Sequence, residues 1–287
     1  FGSSSSDLTP RLSSLPSPAR GGDRRLCEVE VLSAHMALDP STDETAPLQA
    51  DGRELIGFGE AAVRHGFVQK VYGILGAQLI TTTIIGGLTM TMLKTMISTS
   101  PTVVMFLMFG SLAITVAMMC VFMCKPDLMR QSPTNYVLLA LFTLAQSVAV
   151  GVISAQYTRE SVLIALGITC LVVVGLTVFA CQTTYDFTGY GPYLFCGCLV
   201  LMGVGFTMSI VSMFGLTGPA FRIANICHAA MGALLFSAYI VYDTQLIIGG
   251  KHQHRFSVDD YAMAAISLYM DIIQLFLHLL RIFGKRR

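Results

Sequence analysis

Long apolar runs follow one another along the chain from residue 71 to its end. Each run is close to the roughly 20 residues that a helix needs to cross about 30 Å of hydrocarbon. Because backbone N–H and C=O groups in lipid must be paired internally, and because the runs lack the alternating pattern of a membrane β-barrel, each run predicts a helix. There are seven, at residues 71–92, 103–124, 136–157, 162–181, 193–214, 223–248 and 261–283.

The seventh run is the most polar, with Ser267, Asp271, Gln274 and His278 inside it. That composition suits a segment enclosed by other helices rather than exposed to lipid. If the N-terminus is cytosolic, seven full crossings place the basic residues 285–287 on the opposite side, against the positive-inside rule. We therefore predict an all-α integral membrane protein, a seven-helix bundle of six spans plus a polar seventh helix that either crosses or re-enters the membrane.

Composition narrows the class of protein further. Hydrophobic residues make up 54% of the chain and charged residues 12%, against about 25% charged residues in soluble domains, which excludes a soluble globule. The net charge of +1, without a basic stripe outside the tails, argues against a nucleic-acid partner. Residues 1–60 are rich in serine and proline and predict a disordered tail, whereas residues 61–287 form the multi-pass membrane domain. No signal peptide is recognisable, so we expect the first span to act as its own insertion signal.

Two aspartates lie inside apolar runs, Asp243 in the sixth and Asp271 in the seventh. The other carboxylates between residues 71 and 281 lie in connections or at the edges of runs. An acid at such depth costs a few kcal/mol, so it normally faces a cavity or a partner and marks a functional site. The two aspartates are therefore the candidate ion-binding and pH-sensing residues.

Depth and helical spacing make the two aspartates a pair. The connection between the sixth and seventh runs is short, so the helices are antiparallel neighbours, and the acids lie roughly 9 and 15 Å from their shared surface at about 1.5 Å per residue. Ser267, Gln274 and His278 share the Asp271 face and predict a polar stripe. These three residues are therefore candidates for lining an ion pathway. On the sixth helix, Gly232 and Ala229 are small enough to permit close helix approach.

Carboxylates in a poorly solvated site cannot both ionise cheaply, so the pair is expected to share a proton and titrate as a unit. Calcium prefers oxygen ligands and requires deprotonated acids, so protons and calcium should compete for the site. This predicts a pH-sensitive calcium pathway, with calcium bound by Asp243 and Asp271. The alternative is that each acid only locks helix packing through a hydrogen bond to a neighbouring group.

Other metal-ligating side chains give weaker signals. The eight cysteines show no metal-ligand spacing, and seven of them lie in or beside apolar runs, where they predict packing. His228 and His278 are read as packing histidines rather than proton relays. His252 and His254 flank a basic turn that we expect to be solvated.

Two sequence stretches resemble a known family. Residues 260–281 read DYAMAAISLYMDIIQLFLHLLR, and residues 232–236 and 242–245 read GALLF and YDTQ. They resemble the seventh and sixth helices of the Bax inhibitor family, in particular its Lifeguard branch, and Lys70-Val71-Tyr72 resembles that family's entry to the first helix. The resemblance covers about residues 64–287.

The resemblance implies a compact seven-helix membrane bundle and calcium leak from internal stores rather than enzymatic activity. The family's di-aspartyl pH sensor maps onto Asp243 and Asp271, with calcium as the permeant ion and no other cofactor. It further implies suppression of cell death, an endoplasmic reticulum or Golgi location, and membrane-bound apoptosis regulators as partners. One position departs from the pattern: Gln146 lies where some Lifeguard proteins have a glutamate, so it can line the pathway but adds no charge.

Two other functions stay open at the level of sequence. A proton-coupled cation transporter would also use intramembrane acids, although no repeat of the Asp243 segment occurs in the first half of the chain. A membrane scaffold that modulates apoptotic partners would need no pathway at all. A seven-helix receptor is disfavoured because the DRY and NPxxY signatures are absent.

Overall fold

The computed structural model describes the backbone of residues 46–215, 218–249 and 254–286, and their side chains except at residues 46–61, 94–99 and 101. Residues 1–45 of the predicted tail lie outside the described residues, and residues 46–60 form the beginning of the first helix. Close contacts divide the chain at Gly57, and the membrane unit is Gly57–Arg287. The predicted tail as a whole stays a prediction.

Seven helices long and apolar enough to cross a membrane lie in the described part of the chain, which confirms the predicted seven-helix bundle. Short connections join them, three of which contain a 3-10 turn. The helices are α1 (Ala46–Thr99), α2 (Pro101–Cys124), α3 (Thr134–Ala155), α4 (Arg159–Gln182), α5 (Gly191–Met213), α6 (Pro219–Ile248) and α7 (Tyr261–Phe283).

Local sequence explains where several of the helices begin and end. Pro101 and Pro219 occupy the first turns of α2 and α6, where the missing N–H has no helical partner to lose. The Thr158 hydroxyl accepts a hydrogen bond from the Ser161 N–H at 3.3 Å and caps α4. Gly249 ends α6 at a φ of 67°, a backbone conformation that glycine adopts without steric cost.

Helix α7 is the centre of the bundle. In the most apolar 18-residue stretch of α7, 72% of the residues are buried. The same fraction is 11% in α2 and α4 and 6% in α5. The outer helices present apolar side chains on their outward faces, as lipid-facing helices do, whereas α7 is surrounded by protein. Its enclosure makes room for polar side chains that would be costly in lipid.

Helix α7 runs the length of α3 without a break. At its beginning, Asp260 accepts two hydrogen bonds from Arg130, at 2.7 and 3.2 Å, and Arg130 precedes α3. This carboxylate raises the pKa of the Arg130 guanidinium, chiefly through those hydrogen bonds. Beyond the end of α7, the Lys285 carbonyl accepts a hydrogen bond from the Thr158 N–H at 3.1 Å, and Thr158 follows α3. The seventh segment therefore does not turn back on itself.

Small residues let α1 and α3 approach closely. A Cβ added to Gly151 would lie 2.8 Å from the Gly86 carbonyl oxygen and 2.6 Å from the Thr89 Cβ. Both distances are far below van der Waals contact, so only glycine fits at residue 151. Such small-residue contacts are a common basis of helix association in membranes.

We predict that Gly151→Leu separates α1 from α3 and destabilises the protein by about 2 kcal/mol, the usual scale of overpacking. The measurement is the midpoint temperature at which the purified, detergent-solubilised protein loses its monodisperse peak. Gly87→Leu is the matched control, because a Cβ at Gly87 meets open space. Equal midpoints for the two variants would contradict the close contact.

Candidate functional site

The structure brings Asp243 and Asp271 together. Each side chain is 6% exposed, and the two carboxyl groups interact with each other across the α6–α7 contact. Two carboxyl groups can share a hydrogen bond only if one of them carries a proton. The geometry is therefore suited to holding one proton between two acids.

One oxygen of this pair has no partner. Oδ2 of Asp271 is buried and makes no hydrogen bond to any residue in the described part of the chain. Buried polar atoms are almost always hydrogen-bonded, and an unpaired carboxylate oxygen is the kind of atom that binds a proton or a cation. Oδ2 of Asp271 is therefore an oxygen at which a proton shared with Asp243, or a cation, would bind.

The end of α6 that carries Asp243 is held by Arg64 of α1. The guanidinium donates to the carbonyl oxygens of Leu246 at 2.6 Å, Phe256 at 2.7 Å and Ile248 at 3.1 Å. The last carbonyls of a helix have no intrahelical partner, and the planar guanidinium satisfies several at once. Arg64 precedes the first predicted apolar run, so sequence reasoning missed it. No sequence pattern around it indicated which carbonyl groups it would bind.

Gln245 anchors the α4–α5 connection beside the pair. Its Nε2 donates to the Tyr185 carbonyl at 2.9 Å, and its Oε1 accepts from the Phe187 N–H at 2.7 Å. Gln245 is fully buried, so both ends of its amide are used. Gln245 lies two residues after Asp243. Its position as an amide side chain inside an apolar run is the sequence feature that could have indicated its role.

A chain of buried hydroxyls fixes the rotation of α7 against α1 and α3. Tyr269, two residues before Asp271, shares a hydrogen bond of 2.7 Å with Thr82 of α1. Ser147 of α3 donates to Thr82 at 3.3 Å, and Gln78 donates to Thr143 at 3.0 Å. Sequence reasoning missed these residues, although Gln78 with Thr82 and Thr143 with Ser147 are spaced at i, i+4 and so share a helix face.

The predicted polar stripe divides into two parts. Gln274 and His278 line a cavity of about 1270 Å³ that is bordered by α5, α6 and α7. Ser267 is half-buried and is not among the residues that line this cavity. Gln146 is buried, and its Nε2 lies 2.9 Å from the Met270 sulfur rather than against a carboxyl group of the pair.

His278 and His228 face each other inside the bundle. Their ring centroids are 5.8 Å apart, and His278 stacks on Phe236 at 5.7 Å. A Cβ added to Gly232 would lie 2.5 Å from Nδ1 of His278, which agrees with the predicted close approach at this glycine. His228 makes hydrogen bonds to Leu201 and Arg281, as a packing histidine does. His278 lacks a partner at Nδ1 among the described residues.

Comparison with a protein-family model tests the family resemblance of the two C-terminal stretches. The model described as "Inhibitor of apoptosis-promoting Bax1" matches residues 64–287. The chain belongs to the Bax inhibitor family. This confirms the resemblance, and it agrees with a multi-pass membrane protein.

The chain is also similar to individual Lifeguard proteins of animals and plants. The chain is 37% identical to "Protein lifeguard 4" of Mus musculus over 222 residues, which are 76% of this chain and 84% of that protein. It is 34% identical to "Protein lifeguard 3" of Homo sapiens over 225 residues, 78% and 70% of the two chains. It is 36% identical to "Protein LIFEGUARD 4" of Arabidopsis thaliana over 229 residues, 77% and 85% of the two chains.

The acid pair of this Bax inhibitor family member does not by itself form a closed metal cage. The two aspartates supply at most four oxygens, and calcium takes about six to eight. In the part of the chain that the structure describes, no three His, Cys, Asp or Glu side chains are grouped for metal binding. His252 and Cys27 lie outside the described residues. A cation at the pair would therefore keep part of its water shell.

We predict that Arg64→Gln loosens the end of α6 that carries Asp243. Hydrogen bonds to a charged donor contribute about 1.5–3 kcal/mol each, so the loss of three should raise hydrogen–deuterium exchange across residues 240–249 at least tenfold. Arg64→Lys should show nearly the same increase in exchange as Arg64→Gln, because an ammonium group lacks the planar geometry that lets a guanidinium bind several carbonyl groups. Lys125→Gln, an exposed charge after α2, is the control. Unchanged exchange in Arg64→Gln would rule out the anchoring role.

Proposed function

We propose that this protein is a calcium leak pathway of an intracellular membrane, controlled by protonation of Asp243 and Asp271. The observation that carries the proposal is the contact between two buried carboxyl groups on neighbouring membrane helices, where Oδ2 of Asp271 accepts no hydrogen bond from an N–H or O–H group of the described residues. An acid in a membrane helix is costly and rarely present without a role.

Competition between protons and calcium follows from the chemistry of the pair. A proton shared by the two carboxyl groups neutralises one of them and favours their contact. Calcium binding needs both acids deprotonated and separated enough for an ion and its water. Acidification therefore lowers calcium occupancy at the pair, and the two states favour different spacings of α6 and α7.

An entry route supports the same function. The cavity bordered by α5, α6 and α7 reaches Gln274, which lies about 4.5 Å along the helix axis from Asp271 at 1.5 Å per residue. This cavity extends towards the end of the bundle where α6 begins and α7 ends. A hydrated ion would have to pass only one helical turn of protein to reach the pair from it.

The family supports a role in cell death. Its model is described as an inhibitor of apoptosis-promoting Bax1, and we propose that this protein suppresses cell death by lowering the calcium content of the endoplasmic reticulum or Golgi. Membrane-bound apoptosis regulators are then its expected partners. The buried acid pair also favours a second candidate, a proton-coupled cation transporter, in which the two ions would exchange in a fixed ratio.

The direct test is calcium flux into liposomes that contain the purified full-length protein, recorded between about pH 5.5 and 8. We predict that native flux falls on acidification, because protons displace calcium from the pair. Asp243→Asn and Asp271→Asn should each lower flux at pH 8 by roughly tenfold, which corresponds to about 1.4 kcal/mol, and should flatten the pH profile.

Asp259→Asn is the matched control, since Asp259 is an exposed carboxylate near the beginning of α7. It should keep the native profile. Native flux and pH dependence in both pair variants would exclude this mechanism. A constant ratio of protons moved per calcium would favour the transporter, and no flux at all alongside intact suppression of cell death would favour a scaffold.

A further inference from the structure

The cavity bordered by α5, α6 and α7 is lined by cations without matching anions. Arg222 of α6, Arg281 of α7 and Arg286 beyond α7 all line it, and no aspartate or glutamate of the described residues does. None of these guanidinium groups forms a salt bridge in the described part of the chain. Arg286 lies over the Tyr157 ring at 5.7 Å, a cation–π contact that attracts the guanidinium but supplies no negative charge.

The hydrogen bonds of His228 show that its ring is neutral, so it is not a counter-ion for Arg281. Arg281 Nη1 lies 3.2 Å from His228 Nδ1, and His228 Nε2 lies 3.0 Å from the Leu201 carbonyl oxygen. Because arginine only donates, Nδ1 accepts and Nε2 carries the hydrogen. His228 is therefore neutral and directs the Arg281 side chain, while the other N–H groups of that guanidinium have no described partner.

His278 lines the same cavity without adding a charge partner for the arginines. This side chain is 8% exposed. Its Nδ1 is buried and has no hydrogen-bond partner among the described residues. This nitrogen lies against Gly232 of α6, so it does not face a molecule in the cavity.

We infer that this cavity binds a phosphate-bearing anion. Arg222, Arg281 and Arg286 are exposed and form no salt bridge in the described part of the chain. The oxygens of one phosphate can accept hydrogen bonds from several guanidinium groups at once. Arg222 and Arg281 approach the cavity from different helices, so a bound phosphate would join α6 to α7. This inference does not depend on the proposed calcium pathway.

The apolar border of the cavity favours a phospholipid as the source of the phosphate. Met202 and Phe206 of α5 are 63% and 69% exposed, and Ile226 of α6 is 46% exposed; all three line the cavity. Apolar side chains beside cations match an acyl chain beside a headgroup, and basic pockets between membrane helices recognise anionic lipids. Free phosphate would make no use of this apolar border.

The test is native mass spectrometry of the full-length protein in detergent, titrated with phosphatidylglycerol or with phosphatidylcholine of identical acyl chains. The native protein should retain phosphatidylglycerol on the order of tenfold better. Arg222→Gln combined with Arg286→Gln should abolish that preference. Lys125→Gln combined with Arg255→Gln removes the same charge from exposed positions outside the cavity and should keep it.

Three results would overturn the inference or its source. Equal retention of both lipids by the native protein, or an equal loss in the two double variants, would overturn the site. Displacement of phosphatidylglycerol by millimolar inorganic phosphate, with the cavity variant insensitive to it, would support the site but assign it to free phosphate. Circular dichroism checks that the variants fold, and Arg222→Gln alone replaces the double variant if that one does not.

Discussion

The contact between Asp243 and Asp271 sets the arrangement of the last two helices. Each acid is tolerable inside a membrane only if it faces the other or another polar group, so the faces of α6 and α7 that carry them must meet. This requirement places α7 at the centre of the bundle, where protein surrounds it, and leaves apolar faces of the other helices for lipid. Close approach at Gly232 and the burial of Ala229 then allow the two helices to pack at the required distance.

Hydrogen bonds on both sides position α6 and α7, and none of them involves the acid pair itself. Arg64 ties the end of α6 to α1, Gln245 ties α6 to the α4–α5 connection, and the Thr82–Tyr269 hydrogen bond ties α7 to α1. Each anchor uses neutral groups or an arginine that stays charged at all relevant pH values. Under the proposed mechanism, protonation of the pair would therefore alter the α6–α7 contact without releasing the rest of the bundle.

The charges of the cavity and of the acid pair oppose each other. A cation that approaches Asp271 through this cavity passes Arg281 and other guanidinium groups, which repel it. A bound phosphate would neutralise them and lower that barrier. The two proposals are thus separate in their tests but compatible in their electrostatics, since the anion would sit at the entrance and the cation at the pair.

Much of the fold followed from simple periodicity. Each of the seven helices overlaps a predicted apolar run, because in lipid a long apolar segment has few alternatives to a helix. The first helix, Ala46–Thr99, extends well beyond the predicted run at residues 71–92. The run at residues 261–283 matches the bounds of α7, and the pairing of Asp243 with Asp271 was predictable because two neighbouring antiparallel helices leave little freedom in depth. The family relationship was visible for a similar reason, since its signature lies in contiguous residues of these two helices.

The sequence by itself determined the membrane class, the number of helices and the identity of the acid pair, because these depend on composition and on spacing within single segments. Only the tertiary structure decided that Arg64 caps α6, that Gln146 contacts Met270 instead of the pair, and that three arginines line one cavity. Those contacts join residues far apart in the chain, and a side chain's partner across a bundle depends on helix rotation and packing, which no local pattern encodes. The same holds for α7, whose full length along α3 became clear only from the partners at its two ends.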